Sequence, residues 1–291
     1  MKIAIASGKG GTGKTTVSAS LTHVWPRPVV AVDLDVEEPN LHLFLKPQIT
    51  HRDDAFLEIP EADESKCTHC MACVDICQFK AITVMADTLL IFPEMCHGCG
   101  GCLAVCPEGA LRPGQRKLGE VSRGKVEDVE FIMGRLRVGE AMSPPLMRVV
   151  KRHLDDVCEG REPDVIIDAP PGVSCPAVSA VMDSDLIVLV TEPTPFGNYD
   201  LQLAVKAFST MGIPMVVVVN RDGLGDRAVY EFCRRRNLPI LAKIPYDSDI
   251  ARSYANGRII AAESPALTAL FTDMATRILE MGAIGPEVAH G

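Results

Sequence analysis

Residues 8–15 read Gly-Lys-Gly-Gly-Thr-Gly-Lys-Thr, which fits G-x-x-x-x-G-K-[ST], and no other stretch constrains the fold as much. Such an octet needs a strand before it and a helix behind it. Lys-Ile-Ala-Ile-Ala at 2–6 supplies the strand, and 14–24 supplies a helix that Pro26 and Pro28 stop. Gly10, Gly11 and Gly13 let the backbone turn so that its N–H groups surround phosphate oxygens, and the helix N-terminus adds its dipole. Lys14 reaches the β- and γ-phosphates and Thr15 offers its hydroxyl to Mg²⁺. Gly8, Lys9, Thr12 and Thr16 complete the loop. The runs at 29–33, 165–168, 186–191 and 215–220 are continuous and rich in Val and Ile, as strands covered on both faces are. Helical segments such as 198–211 and 226–236 separate them. The expected fold is therefore α/β, a mostly parallel sheet with helices on both faces and right-handed crossovers.

Residues from about 60 to 117 break this rhythm. Of the eleven cysteines, eight fall here in two tight runs, which points to metal rather than disulfides. Cys67-x₂-Cys70-x₂-Cys73-x₃-Cys77 repeats 29 residues on as Cys96-x₂-Cys99-x₂-Cys102-x₃-Cys106-Pro107. The spacing resembles that of the bacterial two-cluster ferredoxins. Three close thiolates cap one cubane, and the fourth cysteine serves the other. Cys67, Cys70, Cys73 and Cys106 are thus assigned to one [4Fe–4S] cluster, and Cys96, Cys99, Cys102 and Cys77 to a second. A pair of tetrahedral zinc sites is the alternative, but it leaves the third and fourth cysteine of each run unexplained. Gln78 stands where the pattern usually has proline, and His97 follows Cys96 as a loop residue. The expected organisation is a discontinuous nucleotide domain, 1–57 and 119–291, interrupted by a small ferredoxin-like α+β insert at 58–118.

Lys9 is the informative extra residue of the loop. K-G-G-x-G-K-T-T resembles the deviant Walker signature of the MinD, ParA, Mrp and nitrogenase iron protein superfamily of P-loop NTPases. That resemblance implies that Lys9 reaches across a dimer to the partner's nucleotide, so that ATP drives dimerisation. It also implies roles for residues at matching places. V-D-L-D (Asp33, Asp35) resembles the first switch, with Asp35 orienting the attacking water and Asp33 holding the Mg²⁺ water shell. V-I-I-D-A-P-P-G, carrying Asp168, resembles the second switch. Asn220 and Arg221 resemble the adenine-binding strand end, and Pro245 and Asp247 the loop flanking the base. The catalytic set is then Lys9, Lys14, Asp35 and Asp168. Cys175 sits seven residues after Asp168, the offset of a cluster ligand in the nitrogenase iron protein; the alternative is a structural thiol, as expected for Cys158 and Cys233.

With both motifs in one chain, the expected function is a Mg²⁺-dependent ATPase whose nucleotide-driven closure gates electron transfer or cofactor delivery to a redox or metal-cofactor partner. The dimer is with itself or with a paralogue. The alternatives are an iron–sulfur assembly carrier of the Mrp type and a MinD-like positioning ATPase. The net charge of −9 argues against nucleic acid and anionic membrane as partners. The basic runs at 148–152 and 234–236 read as solvated helix faces. The chain lacks a long apolar run and a signal-like start, and its final ten residues lack a basic amphipathic pattern, so a cytoplasmic setting is expected.

Overall fold

The computed structural model describes residues 1–283. The 284–291 tail, on which part of the expected lack of a membrane-binding helix rests, lies outside the described residues. In chain order the elements are β1 Lys2–Ala6, α1 Lys14–Val24, β2 Val29–Asp33, α2 Leu41–Leu45, β3 Gln48–Ala62, α3 Ala72–Ile76, β4 Ile82–Met85, β5 Thr88–Ile91, α4 Gly101–Val105, β6 Leu111–Val126, β7 Val129–Leu136, α5 Ser143–Cys158, β8 Asp164–Asp168, α6 Cys175–Val181, β9 Leu186–Thr191, α7 Pro195–Phe208, β10 Met215–Asp222, α8 Ala228–Arg235, β11 Ile240–Pro245, α9 Ser248–Ala255 and α10 Pro265–Ala283. They divide into two compact units. One comprises Met1–Arg52, Val121–Arg135 and Met147 onward; the other comprises Asp53–Glu120 and Leu136–Leu146.

A nine-stranded sheet runs in the order β11-β10-β9-β1-β8-β2-β7-β6-β3; the first unit holds its central strands, and β3 and β6 run from one unit into the other. β1 pairs in parallel with β8 and β9, β2 with β8 and β7, and β10 with β9 and β11. Every residue of β2, β8 and β9 is buried, so both faces of the central sheet are covered; this is why those strands read as unbroken apolar runs. On one face Ile3, Ile5, Val188 and Val218 pack with Val17 and Leu21 of α1 and with Phe271, Met274 and Ile278 of α10. α1 ends at Trp25 because Pro26 follows, and a residue before proline is pushed to extended backbone, as Trp25 is (ψ 125°). α7 begins where Thr194 Oγ1 accepts from Gly197 N at 3.0 Å, with Pro195 in its first turn.

The second unit holds most of β3 and β6, the β4–β5 antiparallel pair and the short helices α3 and α4. Around the cysteines one apolar cluster is Cys73, Ile82, Leu89 and Leu111, and Leu57, Ile59 and Leu118 are buried elsewhere in the unit. A core smaller than the first unit's gains less from apolar burial. The segment 136–146 also belongs to this unit, beyond the 58–118 boundary read from sequence. Its anchors are visible. Arg137 N–H donates to Leu118 O at 2.8 Å, and the buried Arg116 guanidinium pairs with Glu140 and Glu94.

Candidate functional site

The phosphate loop lies between β1 and α1, with Gly11 at φ 76° and Gly13 at φ 95°. Gly13 caps α1 in the left-handed region, and an added Cβ there would meet Asn220 Nδ2 at 2.3 Å. At Gly8 the crowding is with backbone, since a Cβ would lie 2.0 Å from Asp200 O. These two glycines are required by space, and Gly13 by conformation as well. Lys14 is buried, and Thr12 Oγ1 is a buried hydroxyl without a protein partner.

Three carboxylates converge on the end of the sheet around that lysine. Thr15 Oγ1 donates to Asp168 Oδ2 at 2.6 Å, and Ser18 Oγ to Asp168 Oδ1 at 3.0 Å. Asp33 accepts from Leu41 N at 2.9 Å and Asp35 N at 3.1 Å. Burial raises the Asp168 carboxyl, against the opposing pull of Lys14, Thr15 and Ser18. Asp33 is pushed well up, first by burial and then by the Asp168 charge. Asp35 rises to about 6 from burial and Asp168, with Lys14 opposing. One lysine against two buried acids and a half-buried third is a deficit of positive charge. That deficit, with a hydroxyl and carboxylates as donors, suits a hard divalent cation such as Mg²⁺.

A cavity beside the loop is lined by Gly11, Gly13, Thr16, Asn220, Arg221, Pro245, Tyr246, Asp247, Ile250, Ala251 and Tyr254. It gathers all four sequence-assigned adenine-site residues next to the loop. Asn220 Nδ2 donates to Thr12 O at 2.8 Å, and Arg221 Nη2 to Gly11 O at 3.3 Å. Asp247 uses its carboxylate to cap α9, accepting from Asp249 N at 2.6 Å.

Sequence reading missed Glu192. It is buried at the end of β9 and holds two cations: Lys9 Nζ at 2.6 Å on Oε1 and Arg221 Nη1 at 2.6 Å on Oε2. The two partners keep its carboxyl below the usual range against the upward push of burial. Lys9 is therefore bound within its own chain in this structure. The available signal was position: in a parallel sheet, ligand-handling groups collect at the carboxyl ends of strands, and Glu192 follows β9 there as Asp33 ends β2.

In the second unit the eight clustered cysteines divide between two cavities. Cys67, Cys70, Cys73 and Cys106 line one; Cys77, Cys96, Cys99 and Cys102 line the other. The fourth cysteine of each run thus crosses to the other run's cavity. The sequence repeat is also a backbone repeat. His69 (φ 55°) and Met71 (φ 67°) in the first copy match Gly98 (φ 64°) and Gly100 (φ 72°) in the second. Ala81 N donates to Cys77 Sγ at 3.3 Å, and Ala110 N to Cys106 Sγ at 3.2 Å. Amide donors on sulfur stabilise thiolate charge, and four sulfurs per cavity match what a cubane cluster requires. Burial raises the Cys73 and Cys102 thiols. Cys70 and Cys99, each the second of its run, are the exposed members of their sets. Cys175 is exposed at the start of α6, Cys158 is half-buried, and Cys233 is buried with its thiol raised to about 11.

The chain matches the CobQ/CobB/MinD/ParA nucleotide binding domain family over residues 3–260. It belongs to that family. An uncharacterized protein of Methanocaldococcus jannaschii, MJ0578, is 32% identical over 270 residues, covering 91% of each chain. The iron-sulfur cluster carrier protein of Pyrococcus abyssi is 23% identical over 265 residues, covering 84% of this chain and 74% of its own. Among solved structures, the septum site-determining protein MinD of Pyrococcus horikoshii, complexed with Mg-ADP, superposes with a TM-score of 0.59 at 21% identity, covering 97% of both chains. The α/β nucleotide-binding fold expected from the phosphate loop is thus the fold of this family member. No helix among the described residues is long and apolar enough to cross a membrane.

Proposed function

We propose that this family member is a Mg²⁺-dependent ATPase that carries two [4Fe–4S] clusters in its second unit and uses its nucleotide state to control electron or cofactor delivery to a partner protein. The observation that carries this reading is the division of eight thiols into two cavities with the fourth cysteines exchanged, in a chain that also has a complete phosphate loop.

On this reading the loop amides of Gly10–Thr15 hold the β- and γ-phosphates and Lys14 neutralises them. Thr15 would ligate Mg²⁺, and Asp33 and Asp168 would hold its water shell; its charge would offset the burial that raises both carboxyls and the Asp168 charge that adds to it at Asp33. Asp35 orients the attacking water. Lys9 leaves Glu192 to reach the nucleotide of a second subunit, and Glu192 keeps Arg221 as its remaining cation. Asn220, Arg221, Pro245 and Asp247 hold the base. The loop bearing Asp35 runs through α2 into β3, the strand along which the chain passes from the first unit into the second. Order and disorder of that loop is the means by which nucleotide state is passed on. When bound, the clusters supply one-electron chemistry. Cys67, Cys70, Cys73 and Cys106 hold one and Cys77, Cys96, Cys99 and Cys102 the other.

The partner subunit is a second copy or a paralogue. M. jannaschii supplies two relatives, MJ0578 and MJ0579, at 32% and 30% identity, which favours the paralogue pair. Thiolate clusters of this kind belong in a reducing cytoplasm. A second reading, an iron–sulfur carrier, draws on relatives that bear that name at 23–25% identity. Transfer of iron and sulfide to an apo-protein would favour it. Clusters that stay on the chain through ATP turnover favour electron delivery.

The test is anaerobic purification with iron and sulfide analysis. About eight irons per chain are expected. Reduction potential and dimer formation are then measured with ADP and with a non-hydrolysable ATP analogue. Zinc or no metal in oxygen-free preparations ends the cluster reading, and identical behaviour in both nucleotide states ends the coupling.

A further inference from the structure

The groove beside α8 is made of side chains that neither the nucleotide site nor the cysteine cavities use. Arg227, Tyr230, Glu231 and Arg234 follow one another at helical spacing and, with Lys243 of β11, line a single open cavity. Lys243 Nζ lies 5.0 Å over the Tyr230 ring, and the Tyr230 hydroxyl donates to Asp222, so the ring is held at face and tip. Arg235 and Arg236 carry the positive charge past the helix end.

Arg227, Arg234, Arg235, Arg236 and Lys243 are all exposed, and none has an acidic partner among the described residues. The chain has 38 acids for 29 lysines and arginines, so unpaired cations are not forced by composition. Exposed Lys117 and Lys125 meet Asp54 and Glu130, and cations without a carboxylate elsewhere, such as Lys46, Lys80 and Lys206, stand apart from one another in the sequence, whereas these five gather around one groove. Five cations on and around one short helix, with Glu231 as the one groove-lining carboxylate among them, repel one another, and a complementary anionic surface relieves that repulsion.

We propose that this groove docks an acidic segment of a partner protein. A nucleic-acid duplex or a bilayer presents phosphate over tens of ångströms, and a chain with net charge −9 repels it beyond the patch. A protein segment has to match only the groove. α8 has eight residues and so rises about 12 Å, the reach of roughly four residues of extended chain. The Tyr230 ring gives the stems of acidic side chains an apolar wall to lie against. The groove also adjoins the Lys9 clamp. Asp226 N, at the entry to α8, donates to Pro193 O at 3.0 Å, one residue from Glu192. This inference does not depend on the iron–sulfur reading.

The test is fluorescence anisotropy of a labelled glutamate-rich peptide with the full chain. Saturable binding that weakens with salt is expected, and R227E/R234E/K243E should weaken it about tenfold or more. R148E/R152E, in the other basic run, should leave it unchanged, as should the nucleotide affinity of the triple variant. Should the charge reversal fail to fold, R234Q/K243Q removes the charges without reversing them and should weaken binding about threefold. Equal losses from the α5 and α8 variants overturn the proposal. So does a labelled DNA duplex or an anionic phosphatidylglycerol vesicle that binds through the same three residues more tightly than the peptide.

Discussion

The nucleotide site and the cysteine cavities are assembled in opposite ways. The first draws its residues from far along the chain: Lys9 and Lys14, then Asp33 and Asp35, Asp168, Glu192, Asn220 and Tyr246. A buried parallel sheet is what brings them together, because each sits at or just beyond the carboxyl end of a strand. The second draws eight ligand-type residues from Cys67 to Cys106, in two copies of one backbone turn. The nucleotide site is held in shape by apolar packing that exists without ligand. On the proposed reading, cluster binding is expected to add to the stability that the cysteine unit's smaller core supplies.

That contrast gives a largest effect that should split cleanly. Lys14→Ala is expected to abolish nucleotide binding while leaving about eight irons per chain, and Cys99→Ala to lose about four irons while nucleotide binding persists. Isothermal titration and iron analysis on both variants check this; joint loss in either variant would mean that the units do not fold separately. Removing the clusters with a chelator should lower protection from proteolysis within 53–120 and spare the central strands.

Gly13→Ala puts a methyl group 2.3 Å from Asn220 Nδ2 at a φ of 95°, so loop and adenine site are disturbed together. A loss of at least about tenfold in ATP affinity is expected, equivalent to about 1.4 kcal/mol, since strain of this kind costs roughly 1–3 kcal/mol. Titration of the variant with a fluorescent ATP analogue reads it.

Glu192→Gln weakens the hold on Lys9 and Arg221. Dimers should then form at lower ATP concentration, by about three- to tenfold, because a competing contact within the chain has been loosened. Sedimentation velocity across an ATP titration measures the shift, and an unchanged midpoint would show that the clamp does not compete with dimer closure.

The smallest effect concerns pH. Asp35 is raised to about 6, and Asp33 and Asp168 are raised in the same sense. A carboxyl with a folded pKa above its unfolded value binds its proton more tightly when folded. Its contribution to stability is therefore fullest when protonated and declines as pH rises from about 4 through about 6. Without Mg²⁺ the nucleotide unit should lose a few degrees of Tm over that window relative to Asp35→Asn, and Mg²⁺ should restore them. Scanning calorimetry with and without the metal checks the sign.

Much of this was legible in the sequence because it was local. The phosphate loop fixed β1 and α1, and the all-buried strands β2, β8 and β9 announced themselves as unbroken Val and Ile runs. The resemblance to two-cluster ferredoxin spacing implied the exchange of fourth cysteines, and the two cavities divide the sulfurs that way. What was not legible depended on distant partners. Glu192 carries no motif; only folding puts it between Lys9 and Arg221. Tyr246 and Tyr254 look like ordinary loop and helix residues until α9 swings them onto the cavity beside Asn220. The 136–146 segment joins the cysteine unit through Arg116, Arg137 and Glu140, three charges among many in the chain, and no local pattern marks that pairing.

Met71 and Gly100 occupy the same left-handed corner of the two repeats, at φ 67° and φ 72°. Glycine enters that corner freely, whereas methionine stands there under steric load. The two halves of the module are therefore not mechanically equivalent: the first is sprung and the second relaxed. When the module comes apart, the half bearing Met71 is the one whose backbone gains by letting go, which gives its disassembly an order.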